Sequence, residues 1–295
     1  MLASVLLAAS LAAPAADPVK PFEFKDGDKI VWLGNTLVER EQRYGYWESA
    51  LLAANADKNI TVRNLGWSGD TVHGEARGRF DFNNPDFCFK QMVSLTLELK
   101  PTVIFISYGT NEAFEGKEGL PKFEKGLEKL LDALKPANAR IVLFSPMRFR
   151  KSESLPDPKP MNEKLALYRD SIKALAEKRG LSFADLYGVP PALSDLSENG
   201  MHLNERGYEV TALSFLDTLS LENPRVSTEK LEALRKAVIA KNEQFFNKWR
   251  PQNETYLFGF RKHEQGKNAK EIAEFDPFIE KAEAEIAKIR KELKK

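Results

Sequence analysis

The sequence predicts an α/β domain, a parallel sheet with helices on both faces, followed by a helical C-terminal extension. Three observations predict it. Short apolar runs bounded by turn formers alternate with longer segments whose apolar residues recur at helical spacing, the pattern of strands joined by crossover helices. The strand-like runs are apolar almost throughout, as strands buried on both faces are. The first run, Lys29-Ile30-Val31-Trp32-Leu33, passes through Gly34-Asn35-Thr36 into an amphipathic charged stretch, which reads as a strand, a tight turn and a helix start.

The elements follow in order. Residues 30–33 form the first strand, and 41–54 carry apolar positions at helical spacing. The second strand, 60–65, ends in Gly66-Trp67-Ser68-Gly69-Asp70, a cluster of turn formers. A helix over 86–99 is stopped by Pro101, which lacks the backbone donor a helix needs. The third strand, 102–107, leads into Tyr108-Gly109-Thr110-Asn111. A helix over 120–134 precedes Pro136, and 140–145 is the fourth strand. The next helix, 161–179, has Gly180 where a C-cap belongs. Residues 181–184 make a short fifth strand and 205–219 another helix.

From Glu222 the strand signal stops. A helical pattern over 228–249, an aromatic-rich connector over 251–266 and a helix of alternating charge over 277–294 follow. The chain therefore divides into 1–16, 17–221 and 222–295. Phe245, Phe246, Trp249, Tyr256, Phe258 and Phe260 are too many aromatics for a free linker and predict packing onto the sheet domain; a lid over the site is the alternative.

At 295 residues the chain exceeds one ordinary domain. Its 42% hydrophobic fraction is enough for a packed core. Lys and Arg number 44 against 43 Asp and Glu, a net charge of +1, which gives no reason to expect nucleic acid or an acidic partner. Cys88 is the only cysteine, so an intramolecular disulfide and a thiolate-rich metal site are excluded. Residues 1–16 are small and apolar, and Ala13-Pro14-Ala15 fits a small-x-small cleavage site. This stretch is too short for a bilayer span. It lacks a basic n-region, yet it reads as an export signal, placing the protein in the periplasm or outside the cell.

Chemistry-bearing residues fall beyond strand ends, where open α/β sheets bind ligands. Transfer of an acyl group from an ester needs a hydroxyl nucleophile, a base, an orienter for that base and donors for the oxyanion. Thr36 supplies a hydroxyl, His202 a base, Gly66 a backbone N–H and Asn111 a side-chain amide.

The blocks Gly34-Asn35-Thr36, Gly66 to Asp70, Gly109-Thr110-Asn111-Glu112 and Asn199-Gly200-Met201-His202, in this order, resemble those of the SGNH (GDSL-type) hydrolases. The likeness spans roughly residues 29–219. It implies a flavodoxin-like three-layer α/β/α fold and an ester hydrolase without metal or cofactor, acting on a small-molecule or glycan ester. It also places Thr36 at the nucleophile, Asn199 at the triad acid and His202 at the base. Gly66, Asn111, Asn35 and Gly109 then form the oxyanion and binding set. Two positions depart from the family pattern, Thr36 for serine and Asn199 for aspartate. Asn199 is expected to accept from the histidine Nδ1–H through its carbonyl oxygen, and Asp195 or Glu198 to be able to stand in as the carboxylate.

Two function classes follow, with a third resting on the tail alone. The first is an exported ester hydrolase, a carbohydrate deacetylase or small acyl-ester hydrolase working through Thr36 and His202. The second is a catalytically impaired relative that keeps the pocket for glycan or ester binding. The third is a scaffold acting through its C-terminal helices. His73 and His263 read as solvated surface residues, and Arg77 and Arg79 as surface arginines.

Overall fold

The protein is described by a computed structural model covering residues 22–77, 84–189 and 196–293. Residues 1–16, Arg79 and Asp195 lie outside the described residues. Five strands form one sheet: β1 (Lys29–Gly34), β2 (Thr61–Asn64), β3 (Val103–Ser107), β4 (Arg140–Phe144) and β5 (Ser182–Ala184). Their order is β2-β1-β3-β4-β5 and every pairing is parallel, the flavodoxin-like arrangement. Among the described residues no helix is long and apolar enough to cross a membrane.

Strand alternation sends each run of apolar residues to two cores. Ile30, Trp32, Phe105 and Phe144 face one layer, built from α2 (Tyr46–Ala54), α6 (Glu205–Thr218) and α7 (Thr228–Trp249). There Trp32 stacks on Trp47 and Phe215, with ring centroids 6.1 and 5.4 Å away. Val31, Leu33, Ile104 and Ile106 face the other layer, built from α3 (Pro85–Glu98), α4 (Gly116–Leu134) and α5 (Lys159–Arg179).

The single helix expected over 41–54 is two. Helix α1 (Thr36–Tyr44) starts directly after β1, with Asn35 as its N-cap accepting from the Leu37 N–H at 3.2 Å. It ends at Gly45, whose φ of +67° turns the chain into α2. The Glu41 carboxylate holds that corner, accepting from the Trp47 and Glu48 N–H groups at 2.8 and 3.0 Å. Those amides are first-turn donors that lack intrahelical partners.

The C-terminal extension adds α7, two short turns, α8 (Glu254–Leu257) and α9 (Lys262–Gln265), and α10 (Phe275–Leu293). Helix α7 docks through a charge. The fully buried Lys241 Nζ donates to Glu48 Oε1 at 2.5 Å, to the Val62 carbonyl at 2.9 Å and to Asn242 Oδ1 at 2.7 Å. Burial pushes the Glu48 carboxyl up, against the pull of Lys241. Helix α10 docks through buried Arg290, which donates to the Asn55 carbonyl at 2.7 Å, just past the end of α2. The aromatics of the extension divide: Phe245 is buried and Trp249 meets Trp67 edge-on, whereas Phe258 and Phe260 are exposed.

Removing one partner of a buried pair strands the other charge, typically at a cost of about 3–5 kcal/mol. Lys241→Met should therefore lower stability by about that much in urea unfolding. Adding Glu48→Gln should recover most of the loss, because the remaining amide needs no counter-charge.

Candidate functional site

Strand β1 lies between β2 and β3, so the chain leaves it in one direction and returns to the sheet on its other side. That switch point opens a crevice beyond the carboxyl ends of β1 and β3. Here Asn35, Thr36, Arg40, Asn111, Met201 and His202 line a cavity of about 50 Å³ together with Phe114, Phe149 and Tyr208. Thr36 and His202 are thus brought to one site. Among the described residues no hydrogen bond joins them. The Thr36 Oγ1 instead accepts from the Gly69 N–H at 3.1 Å.

That contact corrects one expectation. The Gly66 N–H is held by Asn64 Oδ1 at 2.8 Å, so it is not an oxyanion donor. Gly66 is glycine for packing: a Cβ there would lie 2.3 Å from the Glu39 N in α1. Gly69 has φ +78° and open space around its Cα, a conformation glycine adopts without strain, and it points its N–H at the Thr36 hydroxyl. Gly69, not Gly66, is the backbone donor of this site. The Gly109 N–H is also engaged, by Glu112 Oε2 at 2.9 Å, and is structural. Asn111 Nδ2 gives one hydrogen to the Asp70 carbonyl at 2.7 Å; an amide nitrogen carries two, so one remains for the cavity. Asn35 uses its oxygen as the α1 cap, while its buried Nδ2 has no partner.

The second correction concerns Asn199. Its Oδ1 accepts from the Met201 and His202 N–H groups at 3.1 and 3.0 Å. These two donors fix which end of the amide is oxygen, because a flip would set NH₂ against N–H. The amide nitrogen therefore faces His202 Nδ1, 3.1 Å away, and donates to it. A ring that accepts at Nδ1 carries its proton on Nε2. His202 thus presents an N–H rather than a lone pair at its other nitrogen. Burial lowers its pKa and Arg40 lowers it further, against a smaller opposing pull from Glu198, so the surroundings disfavour the charged ring. Glu198 does not replace the missing carboxylate: it is paired with Arg40.

Around the cavity lies a rigid polar frame. The buried Glu112 carboxylate joins the loops after β2 and β3, accepting from the Val72 N–H at 2.9 Å as well as from Gly109. Asp70 is fully buried and accepts from Arg77 Nε at 2.7 Å and the Tyr108 hydroxyl at 2.9 Å. Arg77, expected on the surface, is completely buried as the counter-charge of Asp70. His73 is half-buried rather than solvated, and burial lowers its pKa. From outside, Arg250 lies 3.6 Å over the Trp67 ring and donates to Glu39 Oε2 at 2.7 Å. Glu39 in turn accepts from the Ser68 N–H at 2.6 Å. The extension therefore holds the loop that carries Gly69, although none of its described residues lines the Thr36 cavity.

Sequence reasoning missed Gly69 and Arg40 as site residues. Arg40 could have been found by helical spacing, since it sits one turn from Thr36 on the same face. Gly69 and Gly66 cannot be told apart without the loop's path.

The sequence profile of the GDSL-like lipase/acylhydrolase family matches residues 27–210. No curated protein sequence matches the chain. A catalytic mutant of Axe2, an acetylxylan esterase from Geobacillus stearothermophilus, superposes with a TM-score of 0.53 at 22% identity, over 70% of this chain and 100% of the other. LAE5, an alpha/beta hydrolase enzyme from the metagenome of Lake Arreo in Spain, gives 0.50 at 22% identity, over 67% and 97%. At these identities the likeness is one of fold.

The frame has a pH signature. Burial raises the Glu112 carboxyl from 4.5 to about 7. Between those values the folded protein holds a proton that the unfolded chain has released, so this contribution is full below pH 4.5 and lost as pH rises through 7. In urea unfolding, Glu112→Gln should remove about 2 kcal/mol of the stability difference between about pH 5 and about pH 8.

Proposed function

As the chain belongs to the GDSL-like lipase/acylhydrolase family, we propose that it recognises O-acyl esters, acetylated oligosaccharides first among them, and holds them with strongly attenuated hydrolysis. The observation that carries this reading is the Asn199 amide donating to His202 Nδ1. It leaves the site with donors where a hydrolase needs a base. The free hydrogen of Asn111 Nδ2 and the His202 Nε2–H suit the carbonyl oxygen of an acyl group, while the Gly69 N–H is taken by the Thr36 hydroxyl. No group in this set is placed to take the proton from Thr36. The cavity of about 50 Å³ suits a small acyl group such as acetyl rather than a long chain. Acetylated xylo-oligosaccharide is chosen as the first ligand because the neighbour Axe2 is an acetylxylan esterase. The apolar segment 1–16 belongs to the same proposal as an export signal, so that the ligand is met outside the cytoplasm.

Turnover by Thr36 itself is the second reading, favoured by the Gly69 N–H already seated at its hydroxyl. It requires the ring to take a proton at Nε2 after giving up the one it holds there. The charged ring would then place an Nδ1–H against the Asn199 NH₂, two donors facing each other. Loss of the triad carboxylate costs about 10⁴ in kcat where it has been isolated, and the γ-methyl of threonine adds crowding. An aspartate at 199 would relieve the first defect, because a carboxylate accepts at both oxygens: one for the Met201 and His202 amides, one for Nδ1–H.

Hydrolysis of p-nitrophenyl acetate and calorimetric binding of acetylated xylo-oligosaccharide test both readings. The wild type should bind the oligosaccharide with turnover near background, and His202→Ala and Asn111→Ala should weaken binding. Thr36→Ser combined with Asn199→Asp should raise kcat/KM by about 10² or more. A wild type as active as that double variant would overturn the binding proposal in favour of turnover by Thr36.

A further inference from the structure

The cavity at Thr36 is too small to hold a whole ester. A water-sized group needs roughly 10–15 Å³, so a volume of about 50 Å³ admits about four heavy atoms. That is the size of an acetyl group with its ester oxygen. The alcohol half of the ester, covalently attached, must then lie at the cavity mouth. Exposure of the lining residues locates that mouth. Asn35, Met147, Phe149 and Tyr208 are buried, whereas Phe114 and Met201 are 51% and 37% exposed.

A single exposed apolar side chain is ordinary; Phe114 differs because it borders the place the alcohol must occupy, and because it is held there. It sits on the turn Glu112–Glu115 directly after Asn111, and its N–H donates to the Asn111 carbonyl at 3.3 Å. The centroid of the Phe149 ring lies 6.2 Å from its own. Phe149 is itself fixed by Asn162, which accepts from its N–H at 2.7 Å and donates to its carbonyl at 3.0 Å. A ring supported in this way loses little freedom when a ligand covers it.

The apolar surface here is narrow, one ring and one thioether, and polar groups adjoin it. The Thr110 hydroxyl belongs to the cavity lining and makes no hydrogen bond among the described residues. Arg40, another lining residue, carries the half-exposed Glu198. A long alkyl alcohol would need a continuous apolar groove. A sugar ring instead offers an apolar C–H face bordered by hydroxyls.

We propose that Phe114 and Met201 form the subsite for the alcohol half of the ester, and that this half is a pyranose stacked by its C–H face on the Phe114 ring. This subsite presupposes the ester recognition proposed above, and it selects a sugar through the chain's own side chains.

Titration calorimetry of the full chain with acetylated xylo-oligosaccharide tests the subsite. Phe114→Ala should weaken binding by about ten-fold at unchanged circular dichroism. Phe114→Leu keeps apolar area without a flat face and should weaken it by about five-fold. Phe114→Trp should bind as tightly as the wild type or more so. Wild-type affinity in Phe114→Ala or Phe114→Leu, or equal weakening in all three variants, would overturn the subsite; weakened binding by His202→Ala alongside would leave ester recognition standing. No binding by the wild type would overturn that recognition and the subsite with it.

Discussion

A carboxylate can accept hydrogen bonds at both ends, whereas an amide accepts at one and donates at the other. At position 199 that difference decides the state of the whole site. The turn Asn199–His202 needs an acceptor for the Met201 and His202 amides, and local backbone satisfaction claims the only oxygen available. What remains is an NH₂ group, and it meets the imidazole at Nδ1. The proton is thereby displaced to the far nitrogen, the one that a triad histidine keeps open for its nucleophile. Nothing else in the fold has to change for a proton-accepting site to become a hydrogen-bond-donating one.

The rest of the structure keeps that site in shape. Asn35 begins α1 immediately after β1, which fixes Thr36 at the helix N-terminus. Glu112 ties the two neighbouring loops together, and the Asp70–Arg77–Tyr108 cluster anchors the loop bearing Gly69. Arg250 clasps the same loop from the C-terminal extension through Trp67 and Glu39. A buried charge pair gives rigidity, at the risk of large penalties when one member is lost. Lys241 with Glu48 and Arg77 with Asp70 are such pairs, whereas buried Arg290 donates to the Ile60 and Asn55 carbonyls.

Much of the fold was legible in the sequence because it rests on local signals. Apolar runs such as Val103–Ser107 announce strands buried on both faces, and Gly180 marks a helix end with its αL conformation. The split of 41–54 was not legible, because Gly45 reads as an ordinary interruption until Glu41 is seen bonding across it. The site was legible in outline: Thr36, Asn111 and His202 do meet. Its polarity was not. Which glycine offers its N–H, and which end of the Asn199 amide faces the ring, depend on the local path of the backbone, which sets Asn64 against the Gly66 N–H and the Met201 N–H against Asn199 from two residues away. Burial of Arg77 was equally hidden, since its counter-charge Asp70 is recognisable as such only when the loop closes on Tyr108.

The protonation state of His202 is the point on which this account turns, and it can be observed directly. Long-range ¹H–¹⁵N correlation of the imidazole nitrogens at neutral pH distinguishes a ring protonated on Nε2 from one protonated on Nδ1. The account predicts a neutral His202 with its proton on Nε2 and an unprotonated Nδ1, and a switch of the proton to Nδ1 in Asn199→Asp. A wild-type ring protonated on Nδ1, or a charged imidazolium at pH 7, would contradict it.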